Sequence, residues 1–150
     1  MKQHSYETQL RWSGSTGSGY RGYDRNHELV VAGTTLRASA DPAFLGDPAL
    51  PNPEQLLLAA ASSCQMLSFL ALAALAKVDV VGYADDARAV MPETGVLTQI
   101  TEIELNVTVT VKNADEQEVL RLMEPAHEQC YIANTLKAAV TVRTTVTVIA

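Results

Sequence analysis

The chain has 150 residues, enough for one domain, and 47% of them are hydrophobic against 19% charged. Such a composition can bury a real core and excludes a disordered chain. The formal net charge is −6 with no basic run, which argues against nucleic acid or an anionic membrane as partner.

In chain order, residues 5–13 (YETQLRWSG) alternate loosely and predict a strand. Gly14–Gly19 (GSTGSG) reads as a turn. Tyr20–Asp24 and His27–Val31 are expected as short strands, as is Thr34–Ala38. A long loop rich in Gly, Pro and Asp follows, of a length that is often functional. Asn52-Pro53-Glu54-Gln55 then opens a long helix. Asn52 suits the N-cap, Pro53 the first helical position and Glu54 the positive end of the dipole. The helix is expected to run to about Lys77. Residues 78–91 predict a strand, Pro92–Gly95 a turn, and 97–111 a long half-buried strand with a bulge near Thr101. Asn113-Ala-Asp-Glu starts a second helix, which Pro125 should kink or end. A short helix around Cys130–Lys137 precedes a final alternating strand, VTVRTTVTVI.

From Gln55 to Ala76 the chain carries no charge. A helix of that length, ~33 Å, reaches across a bilayer. Ser62, Ser63, Cys64, Gln65 and Ser68 in its middle favour instead a helix enclosed in a soluble assembly. The expected architecture is α+β, a single domain over 1–150 with helices covering a mostly antiparallel sheet. One subunit of this size struggles to enclose such a helix, so a two-fold symmetric homodimer is expected. The N-terminus MKQHSYETQLRWSG lacks the apolar stretch of a secretory signal, so a cytoplasmic location is expected and Asn106-Val107-Thr108 is read as an unused glycosylation sequon. In that compartment two cysteines are more often catalytic, redox-active or simply buried than a permanent staple.

By residue type alone, Cys64 is favoured as a small buried hydrophobe. The alternative is a nucleophilic thiolate, which needs a positive partner. The helix offers only Glu54 and Lys77, at its two ends, so a cation must come from another segment or subunit. Cys130, at the start of a helix, would feel the positive end of its dipole. Whether the two cysteines pair is a matter of geometry. Glu54 either complements the helix dipole or orients an arginine. Arg21 and Arg25 share one face of an extended strand, or are solvated surface charges. His127 and Cys130 have an i,i+3 spacing to which His27 and Cys64 can be added, but without CxxC or HExxH no metal site is expected. No P-loop, GxGxxG or GxSxG occurs. Asp85-Asp86 reads as a solvated turn rather than a carboxylate dyad.

The stretch NPEQLLLAAASSCQMLSFLALAALA resembles the signature helix of the OsmC/Ohr family, the osmotically inducible and organic-hydroperoxide-resistance proteins. Asn52-Pro53-Glu54 and Cys64 stand at the matching positions, and Cys130 in HEQCYIANTLKAAVTV matches the second signature, a cysteine opening a short helix before the last strand. The resemblance implies an OsmC-like fold, an intertwined homodimer around the long helix, with two active sites at its interface. It implies a thiol-dependent peroxidase acting on organic hydroperoxides. Cys64 would be oxidised to a sulfenic acid and then joined to Cys130 as a disulfide. No bound cofactor is implied, only an external dithiol donor such as a lipoyl protein. An arginine would stabilise the thiolate, and Glu54 would hold that arginine. The chain departs from the family pattern in two places. Tyr131 follows Cys130 where many members have proline, and Gly14–Gly19 lacks the family arginine. The candidates are Arg21 and Arg25. The segment YDRNHE resembles a YSRDHE-like stretch in one branch, which favours Arg25, with His27 as a neighbour. A hydrophobic-ligand binder or redox sensor on the same fold is the alternative function, and a structural dimer with two buried cysteines is the third.

Overall fold

The computed structural model describes residues 1–93, 95 and 97–150. It forms two compact units, residues 1–56 and 57–150. The first holds a three-stranded antiparallel meander of β1 (Thr8–Arg11), β2 (His27–Val31) and β3 (Thr34–Ala38). The β2–β3 hairpin turns on Ala32 and Gly33, both at positive φ (49° and 77°). Such a two-residue turn favours glycine or asparagine, so Ala32 sits there at a cost. No residue of β1 is buried, and in β2 and β3 only Ala38 is.

Tyr20–Asp24, expected as a strand, is a turn. Gly22 donates its amide to Gly19, the Trp12 indole donates to the Asp24 carbonyl, and Arg25 ties down the carbonyls of Tyr20 and Tyr23. These bonds curl the backbone, and a strand would have to break them. The long loop after β3 closes on itself. Ser39 is buried, its hydroxyl accepts from the Asp47 amide, and its own amide donates to Pro51. Gly46 is required there, because a Cβ would lie 1.7 Å from the Ala40 oxygen.

Helix α1 (Pro53–Leu75) starts as the sequence predicts. The Asn52 side chain accepts from the Gln55 amide (2.9 Å) and the Gln55 side chain accepts from the Asn52 amide (3.0 Å), a reciprocal capping box. It ends two residues short of Lys77. Val78 donates to Ala73 and Lys77 to Ala74, with Lys77 itself left-handed at φ 59°, so the lysine terminates the helix rather than extending it. The helix is long and apolar enough to cross a bilayer, with a mean hydropathy of 1.8. One stripe of it, Ala61, Gln65, Phe69 and Ala73, is buried. Leu67 and Leu75 on other faces are 60% and 80% exposed.

The second unit is organised on β6 (Glu102–Val111), the central strand of the second sheet. Ile103, Leu105, Val107, Val109 and Val111 alternate into the core as expected of a half-buried strand. The strand expected over 78–91 is two strands, β4 (Val80–Asp85) and β5 (Arg88–Val90), which pair antiparallel with successive stretches of β6. The break falls at Asp86, which exchanges bonds with Asn106. The register shift lies between Val80 and Gly82, not near Thr101, which precedes β6 and bonds Val90 and Ala139. The turn expected at 92–95 includes Thr94, which like Val96 lies outside the described residues.

Helix α2 (Glu116–Glu128) is capped by Asp115, while Asn113 clamps the backbone of Lys77 and Asp79. It continues three residues past Pro125, which was expected to kink or end it. Proline loses one intrahelical bond, but its own carbonyl still accepts from Gln129. Helix α3 (Tyr131–Thr135) follows at once, and β7 (Ala139–Val148) returns parallel to β6 on the edge opposite β4 and β5. The fold is therefore α+β, with one antiparallel and one mixed sheet. Replacing Asn52 with alanine removes the acceptor of the Gln55 amide, while the residue-52 amide can still donate to Gln55, and should lower stability by about 1 kcal/mol in chemical denaturation.

Candidate active site

Two of the residues singled out from sequence meet in the second unit. Cys64 sits midway along α1 and Cys130 is the N-cap of α3. Both are free thiols and close neighbours. They differ in exposure: Cys64 is half-buried and Cys130 is 1% exposed. Burial pushes the Cys130 thiol above its ordinary range. The amides of Ala133 and Ile132, at the start of α3, pull the other way, and Cys64 adds to the rise. Cys130 therefore holds its proton at neutral pH.

A polar group that the sequence reading missed lies beside this pair. Asp85, expected in a solvated turn, is half-buried at the end of β4, and the Ser62 hydroxyl donates to its Oδ2 at 2.5 Å. Its Oδ1 is buried without a partner. The hydroxyl of Tyr83, two residues earlier on the same face of β4, is also buried and unpartnered. Burial first, then Asp85, then Cys130, raise the Tyr83 hydroxyl above its ordinary range. Its ring packs on Phe69 of α1, with centroids 5.9 Å apart. Gln65 is fully buried, donating to the Met123 sulfur at 3.3 Å. The one signal of this group in the sequence is Tyr83 and Asp85 at strand spacing, which any amphipathic strand also shows.

The remaining candidates belong to the first unit. Arg25 is half-buried and built in. Its Nη1 donates to the Tyr23 carbonyl (3.0 Å) and its Nη2 to the Tyr20 carbonyl (2.6 Å), and its guanidinium lies 3.9 Å from the Tyr23 ring centre and 4.9 Å from that of Tyr20. It lines an open pocket of about 310 Å³ with Leu10, Trp12, Thr16, Tyr23 and His27. Arg21 is exposed in the turn, so the two arginines do not share a strand face as the sequence led one to expect. Glu54 is half-buried in the first turn of α1, and its Oε2 is buried without a partner. Among the described residues, Glu54 forms no ion pair with an arginine. Among the described residues the ion pair is that of Arg143 with Glu104, at the surface.

With that geometry in hand, comparisons place the chain. The family model for OsmC-like protein matches residues 46–145. A solved OsmC-like protein of unknown function from Vibrio cholerae is 27% identical and covers 95% of this chain and 100% of its own, with a TM-score of 0.86. An organic hydroperoxide resistance protein from Elizabethkingia anophelis is 20% identical over 99% of this chain and 100% of its own (TM-score 0.70). One from Legionella pneumophila is 19% identical over 96% and 98% (TM-score 0.66). These last two share the fold. No curated protein matches the chain. The difference in burial sets the order of thiol reaction: with a maleimide reagent at neutral pH, Cys64 should be labelled first and Cys130 only slowly, as read by mass spectrometry of timed digests.

Proposed function

The chain belongs to the OsmC-like family, and from that membership and its paired thiols we propose that it is a thiol-dependent peroxidase reducing organic hydroperoxides to alcohols. The observation that carries the reading is the closeness of one reachable thiol, Cys64, to one enclosed and protonated thiol, Cys130. The Cys64 thiolate attacks the distal peroxide oxygen. An S–O bond forms, the O–O bond breaks, and the alkoxide leaves and takes a proton to become the alcohol. The sulfur of Cys130 then attacks the sulfenic sulfur, displacing hydroxide, which leaves as water with the Cys130 proton. An external dithiol, with lipoyl groups as the class to test first, reduces the disulfide by exchange. The solved organic hydroperoxide resistance proteins from Legionella and Elizabethkingia, which share this fold, support organic hydroperoxides as the substrate class.

The thiolate needs a cation, and α1 supplies none near Cys64. We assign that role to Arg25 rather than Arg21. Carbonyls and tyrosine rings fix Arg25, and three of its five N–H donors remain to be used. Glu54 would hold the arginine, which accounts for its unpartnered buried oxygen. The site would be completed in a homodimer. Two features support this: the unburied sheet of the first unit, and the uncharged face of α1 at Ala60, Ser63, Leu67 and Ala71. A second reading, a binder of apolar small molecules without turnover, draws on the aromatic pocket around Trp12 and Tyr23.

Peroxide consumption with cumene hydroperoxide and a dihydrolipoyl donor decides between them. Sustained turnover, abolished in Cys64→Ser and limited to one equivalent in Cys130→Ser, is the expected result. Oxidation that stops at one equivalent in the wild type with every dithiol overturns it in favour of binding. Arg25→Met should slow the first step about 10²-fold, and Leu67→Arg should shift the protein from dimer to monomer in sedimentation.

A further inference from the structure

The pocket around Arg25 holds a second polar side chain, His27, that the proposed peroxide reduction does not use. Its Nδ1 lies 2.8 Å from the carbonyl oxygen of Arg25. A carbonyl can only accept, so Nδ1 carries the proton, and in the neutral ring the lone pair belongs to Nε2. Among the described residues no hydrogen bond occupies Nε2. His27 lines the pocket of about 310 Å³ together with Leu10, Trp12, Thr16, Tyr23 and Arg25. That space is at the lower end of the range that takes small molecules. The Trp12 indole N–H is engaged by the Asp24 carbonyl at 2.8 Å, and the Tyr23 ring stands edge-on to Trp12 at 6.3 Å, so Trp12 offers the pocket only an apolar surface. The Arg25 guanidinium is held by two carbonyls and keeps further N–H donors. One small pocket thus combines apolar walls, a fixed cation with free donors, and an imidazole anchored to the backbone of that same arginine.

We propose that His27 is a specificity residue: its Nε2 accepts the O–H of an organic hydroperoxide, and of the alcohol formed from it, while Arg25 donates to an oxygen of the same group. The match is one of hydrogen-bond sense. A hydroperoxide or an alcohol has one O–H to donate and oxygen lone pairs that accept. A carboxylate has no proton to donate and would set its charge against the imidazole lone pair. A hydrocarbon would leave both polar groups without partners, which is how a site built for a hydroxyl rejects analogues that lack it. For a hydroperoxide the arrangement also sorts the two oxygens. The terminal O–H goes to His27, and the inner oxygen, which becomes the alkoxide, is left to Arg25. His27 moves no proton and breaks no bond. The inference rests on the substrate class proposed above and deepens it. Thr16 and Tyr23 also bring hydroxyls to the lining, so the test must separate them from His27.

The chain has one tryptophan, Trp12, and it lines this pocket, so its fluorescence reads occupancy. Cumyl alcohol, cumene and dimethylphenylacetate share an apolar body and differ in the end group. Each is titrated into the whole wild-type chain in mildly alkaline buffer, which favours neutral imidazole. The alcohol should bind about tenfold more tightly than the hydrocarbon or the carboxylate. His27→Gln, whose amide oxygen can stand where Nε2 stood, should keep most of that preference. His27→Asn, which can still donate to the Arg25 carbonyl but has no atom at the place of Nε2, should lose it. If His27→Asn retains the preference, a hydroxyl of Thr16 or Tyr23 is the acceptor and the inference is overturned. It is equally overturned if the carboxylate binds wild type more tightly than the alcohol, or if Trp12 responds to none of the three. Neither peroxide nor thiol chemistry enters the titration, so a failed peroxidase reading shows as absent turnover and leaves this binding result standing.

Discussion

Everything about the thiol pair depends on the burial of one stripe of α1. Ala61, Gln65, Phe69 and Ala73 recur every fourth residue and join the core built on β6. That period fixes which way the rest of the helix faces. With Ala61 and Gln65 inward, Cys64 falls on the margin of the stripe, half-buried, while Ser62 on the other side of Ala61 reaches Asp85. A helix turned by one residue would bury Cys64 outright or send Ser62 to solvent. The small side chains at 61 and 73 let the helix approach closely, and Phe69 fills the space between them and Tyr83.

The second consequence is electrostatic. A buried helix stripe cannot carry charge without partners for it, and α1 has no cation near Cys64. Glu54 stands in the first turn of α1, and Arg25 lies in the turn before β2. Arg25 is conformationally fixed before any partner arrives, since two carbonyls and two aromatic rings hold it. Glu54 carries an oxygen that is buried but unbonded. The first unit also leaves apolar side chains exposed, Leu10, Trp12 and Val31 among them.

Local signals in the sequence were read correctly wherever a backbone rule decides alone. Asn52-Pro53-Glu54-Gln55 gives the start of α1 because capping needs only four adjacent residues. The alternation of Ile103, Leu105, Val107, Val109 and Val111 gives β6 for the same reason, and β2 and β3 fall on the residues expected. The errors arise where long-range bonds override local pattern. Tyr20–Asp24 alternates like a strand but is curled by the Arg25 guanidinium and the Trp12 indole, twelve residues from its acceptor. Pro125 reads as a break but is carried by a helix whose buried face includes Ala126. Asp85 reads as solvated because its partner, Ser62, lies on a different element. The cysteine pair was legible only through resemblance, since nothing in the spacing of 64 and 130 brings the thiols together. That is done by α2, which ends where its last turn can hand Cys130 to α3.

The asymmetry of the two thiols closes the argument. A pair of equally exposed cysteines would oxidise to a disulfide or over-oxidise without order. Here Cys64 is half-buried and Cys130 is enclosed, so a reagent arriving from solvent meets Cys64 first. The enclosure has a cost in reactivity, because desolvation favours the neutral thiol of Cys130. The amides of Ala133 and Ile132 at the start of α3 offset part of that cost, by lowering the energy of the charged sulfur.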